Sequence, residues 1–366
     1  MAVWSAARDK SAYTLLTARW DALWYTRVAE LGYGYEVRLP NGDVHSNLAF
    51  FPLLPWLERL VAAVSPLSYA DGGFVVSLCA SVAAAWGIFA VADHVYGRRA
   101  GVCAVLLWAV LPVGIVQSMA YSESLFTALA AWALYCVLTG RWVTAGTLAL
   151  LAGLTRPVGL AVVAAVWAAG IATFVRDRRA AEPDGARDAA RAPTPAPADT
   201  DATRRVLGML LAPLGAAGYV LWVGHRTGKG PLGYLDVQAG WRNGFDGGYA
   251  FARFVAEKFA SFPSALAGMG LILGVASVVW LYAAGVRGRQ PLPLLVYTGI
   301  VVALALCASS YFGSKPRLLL PAFPLLLPLA LALVRLRPRR SALVLGSVAV
   351  ASAVYGAFWL NGSGPP

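Results

Sequence analysis

The chain is short of charge. Of its 366 residues only 13% are Asp, Glu, Lys or Arg, roughly half the share found in soluble domains, while 59% are hydrophobic. The mean hydropathy is +0.64, and charges this sparse cannot coat a globule in water. The expectation is a multi-span membrane protein. Histidine and cysteine are scarce too, with three and four copies. Cys79, Cys103, Cys136 and Cys307 stand apart in apolar runs, with no CxxC and no nearby His. They read as small buried hydrophobes, with neither disulfide nor zinc expected. No HExxH, Walker or dinucleotide-glycine pattern occurs in a fitting context. Ser122, in Tyr-Ser-Glu-Ser, lacks the Gly-x-Ser-x-Gly elbow of a serine hydrolase. Acids are outnumbered, 18 against 30 bases, for a net charge of +12. In a soluble protein that excess would suggest nucleic acid. Here the aromatic residues lie inside apolar runs instead of alternating with Arg, so no nucleic-acid partner is expected.

What is present is a series of apolar stretches of membrane-crossing length. They fall near residues 74–95, 100–119, 121–139, 142–154, 158–175, 206–224, 264–284, 291–311, 318–334 and 341–360, predicting an all-α polytopic bundle of about ten spans. Several contain proline (Pro112, Pro213, Pro321, Pro324, Pro328), which bundled membrane helices tolerate when neighbours satisfy the freed carbonyls. Residues 51–66 are apolar but include Glu58 and Arg59, favouring an interfacial or re-entrant helix over a span. Residues 1–4 read as the tail of a helix whose beginning is missing, not as a signal peptide.

Every alternate connection is basic: Arg98 and Arg99, Arg141, the segment 176–205, Arg287 and Arg289, and Arg335 to Arg340. Short cytoplasmic loops collect Lys and Arg, so these connections are assigned to the cytoplasmic side and most of the +12 becomes a topology signal. Segment 176–205, rich in Arg, acids, Pro and Ala, reads as a disordered cytoplasmic linker. It divides an N-terminal half, residues 1–175 with a first outer loop over 19–73, from a C-terminal half, residues 206–366 with an outer loop over 225–263.

The polar residues that look costly gather on the outer side. Asp21 lies between Trp20 and Trp24, where dehydration could raise its pKa toward that of a general base; an ion pair with Arg19 is the alternative. Tyr121-Ser122-Glu123-Ser124 opens a helix, so Glu123 either serves the helix dipole or the chemistry. Arg156, in Thr155-Arg156-Pro157, has the planar fork that suits phosphate oxygens, or snorkels. Lys315 and Arg317 place two cations at an outer helix entrance, against the usual charge bias, and invite an anion. The loop 225–263 contributes Gln238, Trp241 and Arg242, which could bind a sugar or lipid headgroup.

Five motifs in order carry a resemblance: Arg19-Trp20-Asp21-Ala22, Asn47-Leu48-Ala49-Phe50-Phe51-Pro52, Tyr121-Ser122-Glu123-Ser124-Leu125-Phe126, Thr155-Arg156-Pro157-Val158-Gly159 and Pro316-Arg317-Leu318-Leu319-Leu320-Pro321-Ala322-Phe323-Pro324. Together they resemble the PIG-V-like mannosyltransferases, the family of the second mannosyltransferase of GPI-anchor synthesis, within the GT-C membrane glycosyltransferases. The resemblance implies a GT-C-like helical bundle with an outer-face active site and a first family helix that is truncated here. It also implies transfer of a hexose, mannose by family, from a polyprenyl-phosphate donor to a lipid, glycan or protein acceptor on the non-cytoplasmic face. Asp21 matches the carboxylate of the first outer loop and is assigned as general base. Arg156, Lys315, Arg317 and Arg242 are candidates for the donor phosphate, and His45, Glu123, Tyr121, Gln238 and Trp241 for orienting the sugars. Ala22 stands where many superfamily members have a second acid, so no cofactor is expected, with a divalent metal as the open alternative. Membrane lipids are the other partners. The richness in Ala, Arg and Gly points to a bacterial cell membrane, where a lipoglycan or protein acceptor fits better than GPI; a eukaryotic protein would lie in the endoplasmic reticulum. The competing function is a lipid-linked-sugar flippase or transporter, which would place its polar groups near the bilayer midplane.

Overall fold

The computed structural model describes residues 2–181, 198–309 and 311–362. The chain begins with three short helices, α1 (Ala2–Ala6), α2 (Ala12–Thr17) and α3 (Asp21–Leu31). A hairpin of β1 (Glu36–Arg38) and β2 (Val44–Ser46) follows, then α4 (Leu53–Val64). The hairpin pairs Val37 with His45 in antiparallel register. Hydropathy gave only a polar loop here, because strands of three residues leave no periodicity. The readable signal was Asn41-Gly42, with Gly42 at φ +87°, in the left-handed region that such a reversal needs. Buried Asn47 fixes the hairpin's exit by accepting from the Gly34 amide and donating to the Gly32 carbonyl. The 12 residues of α4 reach only about 18 Å, too little to span a bilayer.

The rest is helical: α5 (Tyr69–Tyr96), α6 (Arg98–Ala109), α7 (Glu123–Leu138), α8 (Trp142–Gly153), α9 (Leu160–Ala181), α10 (Ala198–Leu211) and α11 (Leu214–Thr227). After them come α12 (Gly233–Gly240), α13 (Tyr249–Glu257), α14 (Ser264–Arg287), α15 (Leu292–Cys307), α16 (Lys315–Leu318), α17 (Leu327–Arg335) and α18 (Pro338–Leu360). Among the described residues, five helical stretches are long and apolar enough to cross a membrane: 69–96, 157–180, 200–227, 264–287 and 338–360. The broken pair around α16 and α17, bent by 76°, makes a sixth if taken as one span. The chain is a multi-pass membrane protein.

The ten expected apolar stretches are thus not all full-length helices. Each of the ten apolar stretches contains helix, but α7, α8 and α15 are short apolar helices, and the expected span 100–119 stops at Ala109. Proline decides which stretches break. Pro112 lies just beyond α6, and Pro321 and Pro324 fall between α16 and α17, where the missing N–H and the ring clash end the helix. Pro213, in contrast, separates α10 from α11 and leaves residues 200–227 one span. The stretch 176–205 is helical at both described ends, to Ala181 and from Ala198, since its Ala and Arg are strong helix formers. Residues 182–197 of that expected linker lie outside the described residues. Arg205 and Asp177 pair at 2.8 Å across it. The expected outer loop 225–263 likewise contains two helices, α12 and α13.

One apolar core runs through α5 to α9, α15 and α17 and so joins the two halves. Small residues set its closest approaches: a side chain on Gly159 would sit 2.6 Å from the Gly153 backbone, and one on Gly153 2.6 Å from the Ala216 amide. Of the cysteines, all free, Cys136 is buried as expected but Cys79 is exposed, because the outer surface of a membrane helix is itself apolar.

Candidate active site

Four chain junctions meet at one end of the bundle, and each contributes one charged side chain. Asp21 is the first residue of α3, Glu123 the first of α7, Arg156 stands just before Pro157 at the head of the α9 span, and Arg317 lies on α16. The four form a continuous row. Arg317 Nη2 is 2.9 Å from Asp21 Oδ2, Arg317 Nε is 3.2 Å from Glu123 Oε1, and Arg156 Nη1 is 2.5 Å from the same Glu123 oxygen. Glu123 is almost fully buried and Asp21 is the most open of the row, its side chain 26% exposed. Two acids and two guanidinium groups make the row neutral, which is what lets it lie so deep.

Local structure explains each position. The Asp21 carboxylate is aimed by Trp20, a bulky residue at φ +52°, a strained backbone conformation of the sort that collects at functional sites. The Arg19 guanidinium stacks on the Trp20 ring at 4.0 Å and donates to the Leu360 and Gly362 carbonyls at the end of α18. Arg19 thus anchors the loop through the C-terminus and leaves Asp21 to Arg317. Arg317 is aimed by the broken turn before α17: Trp108 Nε1 donates to the Leu320 carbonyl and the Tyr297 hydroxyl to that of Pro321. The serines beside Glu123 are divided in role. Ser124 and Ser81 bond each other and the Gln117 carbonyl, closing the link between α6 and α7. Ser122 faces the site, bonded to the Tyr25 hydroxyl at 2.7 Å and to Arg156 at 3.4 Å.

Tyr25 is the residue that the sequence reading left without a role. It lies four residues after Asp21, one turn along the same face of α3, and that spacing was the available signal. Burial holds its phenol well above the ordinary tyrosine range, so it remains a donor. The Tyr121 ring lies under Arg317 at 5.1 Å, with its hydroxyl buried beside the Asp21 backbone.

The other expected site residues divide into two groups. His45, Trp241, Gln238 and Arg242 form an outer rim. The His45 imidazole stacks on Trp241 at 4.0 Å, and Trp24 packs edge-on against Trp241 and face-on against Phe50. Phe50 in turn meets Tyr25 at 5.1 Å, so the rim is continuous with the charged row. Burial pushes the His45 pKa below its usual value, with Asp43 opposing and Arg242 adding to the effect. Arg242 pairs with Asp43 at 2.6 Å, and Gln238 bonds the Tyr234 hydroxyl and Asn243. Lys315 stands apart from the row. Its ammonium donates to the Ala305 and Ala308 carbonyls at 2.8 Å and the Leu306 carbonyl at 3.4 Å, capping α15, and lies over the Phe251 ring.

Phe251 also lines the upper end of an apolar groove of about 800 Å³ between α13 and α14, which runs past Val255, Ile272 and Trp280 to Arg287. Among the described residues there is no group of three or more His, Cys, Asp or Glu side chains. Both carboxylates of the row already carry guanidinium partners, a donor set that does not suit a divalent cation.

The helical fold is shared with solved structures of other membrane proteins. Two solved structures of ArnT from Cupriavidus metallidurans are similar to it. The apo structure has a TM-score of 0.56 at 14% identity, covering 99% of this chain and 65% of that one. The structure bound to undecaprenyl phosphate has a TM-score of 0.54 at 16% identity, covering 98% and 68%. The oligosaccharyltransferase of Archaeoglobus fulgidus, in complex with Zn and sulfate, has a TM-score of 0.48 at 16% identity over 97% of this chain and 49% of that one. The chain thus spans about two thirds of the length of the first two and about half of the third. No family model matches the chain, and no curated protein matches it.

Proposed function

We propose that this protein is a membrane glycosyltransferase that moves a hexose, mannose by the PIG-V-like resemblance, from a polyprenyl-phosphate donor to a lipid, glycan or protein acceptor on the non-cytoplasmic face. The observation that carries the reading is the row Asp21, Arg317, Glu123, Arg156, which puts one solvent-accessible carboxylate beside buried guanidinium groups at one end of the bundle. Asp21 takes the proton of the acceptor hydroxyl as its oxygen attacks the anomeric carbon. The bond from that carbon to the phosphate oxygen breaks, and the lipid phosphate leaves with the electron pair. Arg317 and Arg156 hold the charge that develops on it. Lys315, with its protons committed to α15, is not assigned to the phosphate. The rim of Trp24, Trp241 and His45 offers flat faces to the sugars. The groove between α13 and α14 offers an apolar bed for the polyprenyl chain, consistent with the undecaprenyl phosphate held by the similar ArnT structure.

A transporter would use polar groups near the bilayer midplane, whereas this row lies at helix ends. The test is transfer of radiolabelled mannose from polyprenyl-phosphate-mannose to membrane extract by purified protein in detergent, where no second compartment exists. Transfer that an Asp21→Asn variant loses supports the reading. Near-wild-type transfer by that variant would remove Asp21 as the base, and no transfer by the wild type to any acceptor class, with lipid binding intact, favours the flippase.

A further inference from the structure

Within the charged row the two acids are not equivalent. Glu123 has two cations and keeps Arg156 at 2.5 Å, whatever Arg317 does. Asp21 has Arg317 alone: among the described residues no other ion pair reaches it. Arg317 is thereby divided between Asp21 through Nη2 and Glu123 through Nε, while its buried Nη1 has no hydrogen-bond partner among the described residues. The Tyr121 ring lies beneath the same guanidinium, with its hydroxyl buried beside the Asp21 backbone. A guanidinium edge buried without a protein acceptor is costly, which points to it as a place for a ligand oxygen.

This inference rests on the transferase reading and concerns how its two halves are coupled. We propose that Arg317 is shared in alternation between the base and the lipid phosphate. With Asp21 ionised, the carboxylate holds one edge of the guanidinium and opposes the approaching phosphate. When Asp21 accepts the acceptor proton it becomes neutral and gives up its claim on Nη2. In the same step the phosphate gains a negative charge, as a diester becomes a monoester. The charge lost at Asp21 equals the charge gained at the phosphate, so Arg317 passes from one to the other with the total unchanged. Loss of the proton to water afterwards restores the Asp21 carboxylate, which recaptures Arg317 and expels the spent lipid phosphate. The pair is thus both the base and the release device.

The distinctive consequence is that removing the charge of the base should trap the product. Undecaprenyl phosphate is titrated into purified protein in detergent, with binding followed by tryptophan fluorescence. Four proteins are compared: wild type, Asp21→Asn, Arg317→Gln and the double variant. The expectation is that Asp21→Asn, although inactive, binds undecaprenyl phosphate at least tenfold more tightly than wild type. Deleting one anion near a phosphate also gives a general gain through space, and that part survives in any background. The shared part requires Arg317, so in the Arg317→Gln background the gain should fall to about threefold or less. Asp21→Ala gives a second reading if the Asn variant expresses poorly. Unchanged or weaker binding by Asp21→Asn overturns the proposal, as does a tightening that persists undiminished without Arg317. If the four proteins show the coupling but the wild type transfers no sugar, the competition between Asp21 and the phosphate for Arg317 stands, while the transferase reading and the proton-driven exchange built on it are overturned. One that binds no undecaprenyl phosphate overturns both.

Discussion

Arg156 Nη1 lies 2.5 Å from Glu123 Oε1, and both belong to helix starts, so two chain segments are locked together by a charge pair almost out of reach of water. Removing the acid leaves two buried guanidinium groups uncompensated. Glu123→Ala should therefore destabilise the protein by about 3–5 kcal/mol, seen as a clear fall in the thermal midpoint in detergent. Glu123→Gln, which keeps the shape, should fold better yet lose most transfer activity, because the arginines repel one another without the charge between them. A midpoint for Glu123→Ala equal to wild type would contradict this.

Tyr25→Phe removes a single hydroxyl. The Ser122 side chain loses its 2.7 Å partner and with it part of the support for Arg156. A stability loss of about 1 kcal/mol is expected, together with a several-fold drop in transfer. Activity equal to wild type would show that Tyr25 only packs.

Lys315 gives a contrast with Arg317. Lys315→Met strips three carbonyls at the end of α15 of their donor, so the thermal midpoint should fall by an amount corresponding to about 1–3 kcal/mol. Undecaprenyl phosphate affinity should stay within about twofold. A large loss of affinity with unchanged stability would move Lys315 into the phosphate site.

His45 makes the rim sensitive to acid. Its folded pKa lies below its ordinary value of 6.5, chiefly through burial. The folded state therefore resists protonation: the stack on Trp241 has its full strength above 6.5 and loses it as pH falls through the lower folded value. Hydrogen-exchange protection of the segment around Trp241, taken relative to the intrinsic exchange rate at each pH, should fall between neutral pH and pH 5. His45→Phe, which keeps a ring against Trp241, should abolish that fall.

Glu58 acts in the other direction. It is fully buried on α4, neither carboxyl oxygen has a hydrogen-bond partner, and burial pushes its pKa up from 4.5 to about 9. An acid raised on folding costs nothing below 4.5, and the cost grows as pH climbs to the folded value, reaching about 3 kcal/mol at pH 7. Stability should decline from pH 5 toward pH 9 in wild type, and Glu58→Gln should flatten that slope. Parallel pH profiles for the two proteins would refute the assignment.

Much of this was legible in the sequence. Apolar runs located the helices, and Asp21, Glu123, Arg156 and Arg317 stood out because charge at a membrane helix end is expensive wherever it occurs. The sequence could not say that these four form one row, since pairing between distant junctions is a property of packing. Nor could it separate Arg317 from Lys315, two residues apart, because helical rotation turns one toward Asp21 and the other toward the end of α15. That helices would break near Pro112, Pro321 and Pro324 was not legible for a related reason. Proline signals a local cost, and whether neighbours absorb it, as at Pro213, depends on contacts that are not local.

The bend between α16 and α17 has a consequence for how the site is completed. Arg317 is the last of the four charged residues to be synthesised, and its aim depends on carbonyls at Leu320 and Pro321 held by Trp108 and Tyr297. The Glu123–Arg156 pair joins residues of the N-terminal half alone, whereas Asp21 has its ion-pair partner in Arg317, close to the end of the chain. The complete row of four charges therefore needs the segment from α15 to α17, which also supplies part of the main core.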